Sequence, residues 1–243
     1  MKLSMPPDEF ERLSNEAKKR HVVQLLIDEA RANPVESPSP PIAFVMAGVP
    51  GAGKTEFLDS LIETLKANNQ LGEFVRIDLD QIVTIYPDYT PKTYAKFRSR
   101  ANNIIARCID VMRRQTYNMM IDGTFSGTSG SSVRNVEKLL DSGYIVLMVY
   151  MYDDPKTAWY YTQVREAETD RGIDKAGFID SCVNITSNLQ EAIKKFRGNP
   201  HFSLTVVKQK VLRDKNYDFL SDNDDVDNII NQGYNIDNLK KTL

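Results

Sequence analysis

Gly48-Val49-Pro50-Gly51-Ala52-Gly53-Lys54-Thr55 is the stretch on which the reading of this chain turns. It satisfies the pattern G-x-x-x-x-G-K-[ST] at every position. The apolar run Ile42-Ala43-Phe44-Val45-Met46-Ala47 leads into it, and a helical pattern from Glu56 to Leu65 leads out. Strand, loop and helix in that order are the setting a phosphate loop requires. Gly48, Gly51 and Gly53 let the backbone turn its N–H groups inward, so the segment through Ala52 reads as an anion nest. The helix that follows offers its positive N-terminus to the same anion. Lys54 adds a mobile cation for the β- and γ-phosphates, and the Thr55 hydroxyl can ligate Mg²⁺.

Outward from the loop, apolar runs alternate with helical patterns. Strands are expected at Ile42–Ala47, Phe74–Ile77, Met119–Ile121, Tyr144–Tyr152 and Leu204–Val207. Thr90-Pro91 opens a helix running to about Gln115, and Asp154-Pro155 opens another. Gly143 and Gly198 follow helices over 132–140 and 175–197. The fold class is therefore α/β: a P-loop NTPase or kinase-like parallel sheet of about five strands covered by helices. Ligands of such a sheet bind beyond the C-terminal ends of its strands. Apolar spacing over 8–32 predicts one extra N-terminal helix, and Pro34, Pro38, Pro40 and Pro41 predict a stiff linker after it. The expected organisation is 1–40 as helix and linker, 41–213 as kinase-like core, and 214–243 as an acidic, Asn-rich tail, solvated or forming a peripheral helix.

Bulk properties narrow the class. The chain has 243 residues, 31 basic and 33 acidic, for a formal net charge of −2. No nucleic-acid partner is expected from that balance. No run approaches the roughly 20 apolar residues that span a bilayer, and the N-terminus lacks a signal-peptide pattern, so no membrane is expected. Cys108 and Cys182 have no metal-ligand spacing and read as buried thiols of a reducing cytoplasm.

Several groups can do chemistry. In Arg76-Ile77-Asp78-Leu79-Asp80-Gln81, strand alternation would aim Asp78 and Asp80 the same way at a strand's C-terminal end. A carboxylate there can take the proton of an attacking hydroxyl. Asp80 can equally cap the helix that begins at Gln81. Asp122, ending the next strand, can anchor Mg²⁺ or meet a substrate hydroxyl, and Phe125 to Ser132 form either a substrate rim or a flexible connection. Arg165 and Arg171 can neutralise a transferring phosphoryl group. Six residues on one regular helix place them roughly 120° apart, so convergence needs a break between them; otherwise both pair with neighbouring acids. Lys92, Lys96, Arg98 and Arg100 form a basic cluster that either meets a phosphorylated acceptor or is solvated.

Taken in order, these residues resemble the zeta-toxin family, the toxin kinases of bacterial toxin–antitoxin pairs. The resemblance runs from about Val35 to Val207. It rests on Val35-Glu36-Ser37-Pro38, the phosphate loop, Ile77-Asp78-Leu79-Asp80, Tyr86-Pro87-Asp88-Tyr89 and Tyr117 to Thr124. Pro155-Lys156, Arg165-Glu166 and Arg171-Gly172-Ile173-Asp174-Lys175 complete it. The resemblance implies an ATP- or GTP- and Mg²⁺-dependent kinase acting on a small acceptor, UDP-N-acetylglucosamine in known members. It implies an antitoxin protein as a partner. It assigns the nucleotide phosphates and Mg²⁺ to Lys54 and Thr55, the catalytic base to Asp80, substrate contacts to Asp122 and Thr124, and phosphate clamping to Arg165 and Arg171. The departures lie on the acceptor side: Asp122 stands where the family more often has Glu, and Ser126 where an arginine is often found. Other readings are a P-loop kinase of a nucleoside, antibiotic or polynucleotide 5′-OH, or a nucleotide-binding regulatory module.

Overall fold

The computed structural model describes residues 5–31, 40–68, 74–128, 130–170, 172–209, 217–220, 223–232, 234 and 236–243. Its strands are β1 (Ile42–Ala47), β2 (Phe74–Asp78), β3 (Asn118–Asp122), β4 (Ile145–Tyr152), β5 (Phe202–Gln209) and β6 (Tyr217–Leu220). They form one sheet in the order β2-β3-β1-β4-β5-β6. The first five strands are parallel, and β6 adds antiparallel to β5. All five expected strands are present. β1 lies in the middle, so the loop leaving it opens where later strands are laid to either side, the position at which such sheets bind ligands.

The helices are α1 (Pro7–Arg12), α2 (Asn15–Arg31), α3 (Lys54–Ala67), α4 (Leu79–Val83), α5 (Tyr94–Arg114), α6 (Ser131–Asp141), α7 (Pro155–Thr169), α8 (Lys175–Phe196), α9 (Asn223–Asn231) and α10 (Ile236–Thr242). The Asp154-Pro155 signal acts as read: Asp154 accepts from the Lys156 and Thr157 N–H groups. The start of α8 has a cap of its own, Asp174, which accepts from Gly177 N–H at 2.7 Å. At Thr90 the structure differs: a 3₁₀ turn, Pro91–Thr93, precedes α5, held by reciprocal Thr90–Thr93 bonds. The strands are buried because both faces are covered. Ala43, Val45, Ile77, Met119, Val146 and Met148 are each no more than 5% exposed.

Both ends of the chain differ from expectation. The single helix expected over 8–32 breaks at Leu13-Ser14, where the Ser14 Oγ accepts the Ala17 N–H at 3.2 Å and starts α2. Phe10 is fully buried, edge-on to Tyr86, and α2 packs on α5 and β2 through Val22, Val23, Leu26 and Ile27. The N-terminal helices are thus a layer of the core. The proline-rich linker falls largely outside the described residues.

Of the two forms expected for the tail, the described residues take the helical one and add a strand. They supply β6 and two helices that pack on α8, with Val226, Ile230 and Leu239 buried. Arg197 at the end of α8 holds both carboxylate oxygens of Asp227. The Asp- and Asn-rich composition hides this, because about one buried residue per turn suffices to seat a short helix: Val226 and Ile230 on α9, and Leu239 on α10.

Candidate active site

The phosphate loop joins β1 to α3. Gly48, Gly51 and Gly53 have φ of +148°, +84° and +78°. Only glycine adopts these angles without strain. The loop is also wedged: a Cβ on Gly51 would lie 2.2 Å from the Ala158 carbonyl oxygen of α7, and one on Gly48 2.7 Å from that of Met151. Gly51→Ala is therefore expected to lower stability by about 2 kcal/mol or more through left-handed strain plus the clash. Thermal unfolding and nucleotide titration of the variant check this; unchanged values would mean the loop yields.

Lys54 folds back over its own loop. Its Nζ donates to the carbonyls of Gly48 and Val49 at 2.9 and 2.8 Å. Burial pushes its pKa down to about 8, against the pull of Asp122, Asp80 and Glu56, while Arg165 pushes the same way as burial. Lys54 opens α3 after the loop, Asp122 ends β3 beside β1, and Asp80 lies in the first turn of α4 just after β2, so all three stand at the C-terminal edge of the sheet. Ala52 is buried in the loop, and Thr55 is exposed in the first turn of α3.

Asp78 and Asp80 do not alternate along a strand. β2 ends at Asp78 and α4 begins at Leu79. Asp78 is the N-cap, accepting the Asp80 N–H at 2.8 Å, and Asp80 sits in the first turn of α4. The capping task considered for Asp80 belongs to its neighbour. Asp80 is half-buried, and its Oδ1 accepts the Tyr94 hydroxyl at 3.2 Å.

Asp78 and Asp122 are register partners on β2 and β3. Both are buried, and burial raises both carboxyls; Asp78 reaches about 6 with Asp122 and Asp80 adding to the rise. Lys54 and Arg76 restrain the rise at Asp122. Arg76 is the residue that sequence reasoning missed. Its Nη2 lies 2.9 Å from Asp122 Oδ2 and 3.5 Å from Asp78 Oδ2, and its Nη1 donates to Asp59 Oδ1 of α3 at 2.5 Å. Its spacing carried the signal: two residues before Asp78 on one strand, it shares that face. Asp59 lies one turn after Thr55, so Arg76 ties the helix bearing Thr55 to the carboxylates ending β2 and β3.

The Thr124 carbonyl accepts the Gly48 N–H at 3.2 Å, and its Oγ1 lies 2.6 Å from the Ser126 Oγ. Arg165 is half-buried on α7. The break needed beyond it exists: α7 ends at Thr169, and Asp170 takes φ +57°. Arg171 lies outside the described residues. Across the mouth, Lys92 pairs with Asp170 at 3.6 Å, whereas the Lys96 ammonium lies 5.2 Å from the Phe97 ring. Among the described residues, no group of three or more His, Cys, Asp or Glu could hold a metal by itself.

A phosphate loop after the central strand of a parallel sheet, with carboxylates ending the two neighbouring strands of one side, defines a P-loop kinase-like protein. The chain belongs to the zeta toxin family, whose model matches residues 27–224. Toxin zeta of Streptococcus pyogenes is 29% identical over 141 residues, 56% of this chain and 46% of that protein. Toxin zeta of Enterococcus hirae is 28% identical over the same length. The match thus spans less than half of these relatives. A structure from the PezAT chromosomal toxin–antitoxin system of Streptococcus pneumoniae superposes with a TM-score of 0.63 at 17% identity, over 93% of both chains. The AvrRxo1-ORF1:-ORF2 structure with ATP gives 0.61 at 17% identity, over 93% of this chain and 78% of that one. At these identities the two structures show a shared fold.

Proposed function

We propose that this protein is a zeta-type kinase that moves the γ-phosphoryl group of ATP or GTP to a hydroxyl of a small acceptor. One observation carries the reading: Lys54, Asp80 and Asp122 stand at the C-terminal edge of the sheet where the phosphate loop opens. In the proposed reaction the loop N–H groups and Lys54 hold the β- and γ-phosphates. Asp80 takes the acceptor's hydroxyl proton. The acceptor oxygen then bonds to the γ-phosphorus as the bond to the β,γ-bridging oxygen breaks, releasing the diphosphate. Arg165, with Arg171, neutralises the developing charge.

Mg²⁺ fits the donor set as a cation carried in with the nucleotide. Mg²⁺ takes one or two protein oxygens and completes its octahedron with phosphates and water. Thr55 is exposed beside the loop, and Asp122 has one oxygen held by Arg76 and a second available to a bound water. When bound it supplies charge neutralisation of the phosphates.

UDP-N-acetylglucosamine is the acceptor that the family resemblance favours, with Asp122 and Thr124 contacting it. A different small acceptor is the second reading, favoured by the Arg76 hold on Asp122 Oδ2 at 2.9 Å, which takes up one acceptor-side oxygen. The PezAT structure comes from a toxin–antitoxin system, which supports an antitoxin partner for this chain; a cytoplasmic site of action is part of the same proposal. No described helix is long and apolar enough to cross a membrane. The deciding experiment incubates the protein with Mg-ATP and UDP-N-acetylglucosamine and reads phosphate addition by mass spectrometry. A phosphorylated sugar nucleotide supports the reading. No product, with nucleotide binding intact, removes this acceptor and directs the same assay to metabolite extracts.

A further inference from the structure

The connection after β3 is held by one buried side chain from a distant helix. Asn188 of α8 is 6% exposed. Its Nδ2 donates to the Phe125 carbonyl at 2.8 Å and to the Gly127 carbonyl at 2.9 Å. Both hydrogens of one amide are thus used on two carbonyls of one short loop. A third bond, from Gly127 N–H to Ser132 Oγ at 3.0 Å, closes the loop onto the start of α6. Phe125, whose own carbonyl is one of the two held, takes φ +60°. A left-handed conformation strains a bulky residue and persists only where its surroundings fix it. The Phe125 ring is buried, 7% exposed, so ring and carbonyl are gripped together.

What that grip positions lies on either side of Phe125. The Thr124 and Ser126 hydroxyls are brought within 2.6 Å of each other, and the Thr124 carbonyl receives the Gly48 N–H of the phosphate loop. In an extended connection residues two apart share a face but their Cα atoms stand about 6.6 Å apart; the turn at Phe125 is what draws the two hydroxyls into hydrogen-bond distance. We propose that Asn188 is a positioning residue for the acceptor: acting through Phe125, it sets the Thr124–Ser126 hydroxyl pair as a preformed ledge for a hydroxyl-rich acceptor beside the phosphate loop. This rests on the kinase reading above. A surface loop with no task needs neither a buried amide nor a strained aromatic residue. Asn188 lies in α8, far along the chain from the loop, so its effect reaches the site only through these bonds.

The test compares Asn188→Ala with the unaltered full-length protein. The first readout is hydrogen exchange across 123–128, expected to speed at least tenfold in the variant. The second is transfer from Mg-ATP to UDP-N-acetylglucosamine, expected to show an acceptor KM raised about tenfold with the ATP KM unchanged. That split is what a preorganised ledge predicts, since misplaced binding groups cost binding at their own substrate. Phe125→Gly added to Asn188→Ala tests the same point from the other side. Glycine removes the left-handed strain, so the double variant is expected to recover part of the acceptor KM. Unchanged exchange across 123–128 overturns the proposal. Faster exchange with acceptor and ATP KM raised equally, or neither raised, also overturns it, leaving Asn188 a structural residue. Absence of transfer by the unaltered protein counts against the acceptor named above; exchange alone then decides whether Asn188 sets the loop.

Discussion

Lys54→Ala is expected to abolish phosphoryl transfer and weaken Mg-ATP binding while leaving the fold at least as stable. The loss of transfer should reach about 10²–10³-fold or more, the scale on which a preorganised cation acts in a water-excluded site. The lysine sits where phosphates must enter, its ammonium satisfied by the Gly48 and Val49 carbonyls at 2.9 and 2.8 Å. Nucleotide binding replaces those neutral acceptors with charged phosphate oxygens, a stronger hydrogen bond. Alanine leaves the N–H nest and the α3 N-terminus in place, so residual nucleotide binding persists. The stability sign follows from burial. A pKa that falls from 10.5 to about 8 on folding means the protonated side chain opposes folding. That opposition is full below about pH 8 and fades as pH rises toward 10.5. Removing the group near neutrality removes the opposition, although it leaves Asp122 and Asp80 one cation poorer. Calorimetric Mg-ATP titration, a product assay and thermal unfolding together check the result. Full nucleotide affinity with full turnover would exclude Lys54 from the site.

The core of this architecture was legible because its signals are local. The phosphate loop fixes a strand before it and a helix after it, and Asp154-Pro155 and Gly198 bound helices through their own backbone preferences. What stayed hidden depends on partners distant in the chain. β6 is four residues of mixed polarity, and only its pairing with β5 makes it a strand. The break between α1 and α2 turns on a serine cap inside an otherwise continuous apolar pattern. Within the site, Lys54 and Thr55 follow from the loop pattern and Asp122 from its place at the end of a strand, whereas Arg165 rests on the family resemblance. The Asp78–Asp80 relation was misread because period-two alternation was extended past the end of the strand. Arg76 and Asn188 act through bonds to Asp59, Asp122, Phe125 and Gly127, and no spacing rule links α8 to the loop after β3.

Asp80→Asn is expected to separate chemistry from binding. Asparagine keeps the shape of aspartate and removes its capacity to hold a transferred proton. The surroundings should survive the change. The cap that places this residue runs from Asp78 to the Asp80 backbone N–H, which the substitution leaves intact. The Tyr94 hydroxyl, 3.2 Å from Oδ1, can donate equally to an amide oxygen. Mg-ATP affinity should therefore stay within about twofold, and kcat should fall by roughly 10²–10⁴, the range that a positioned general base contributes. Asp78→Asn is the informative companion. Its carboxylate carries both the cap on α4 and the pairing with Arg76 at 3.5 Å. Burial raises the Asp78 carboxyl to about 6, so its charged form opposes folding above that pH, and an asparagine oxygen can still cap α4. Stability should therefore change by no more than about 1 kcal/mol, and activity should fall only as far as Asp80 is displaced. If Asp80→Asn turns over at the native rate while Asp78→Asn does not, the proton acceptor is Asp78 and the roles assigned across the end of β2 exchange. Steady-state kinetics and thermal unfolding of the two variants side by side decide between these assignments.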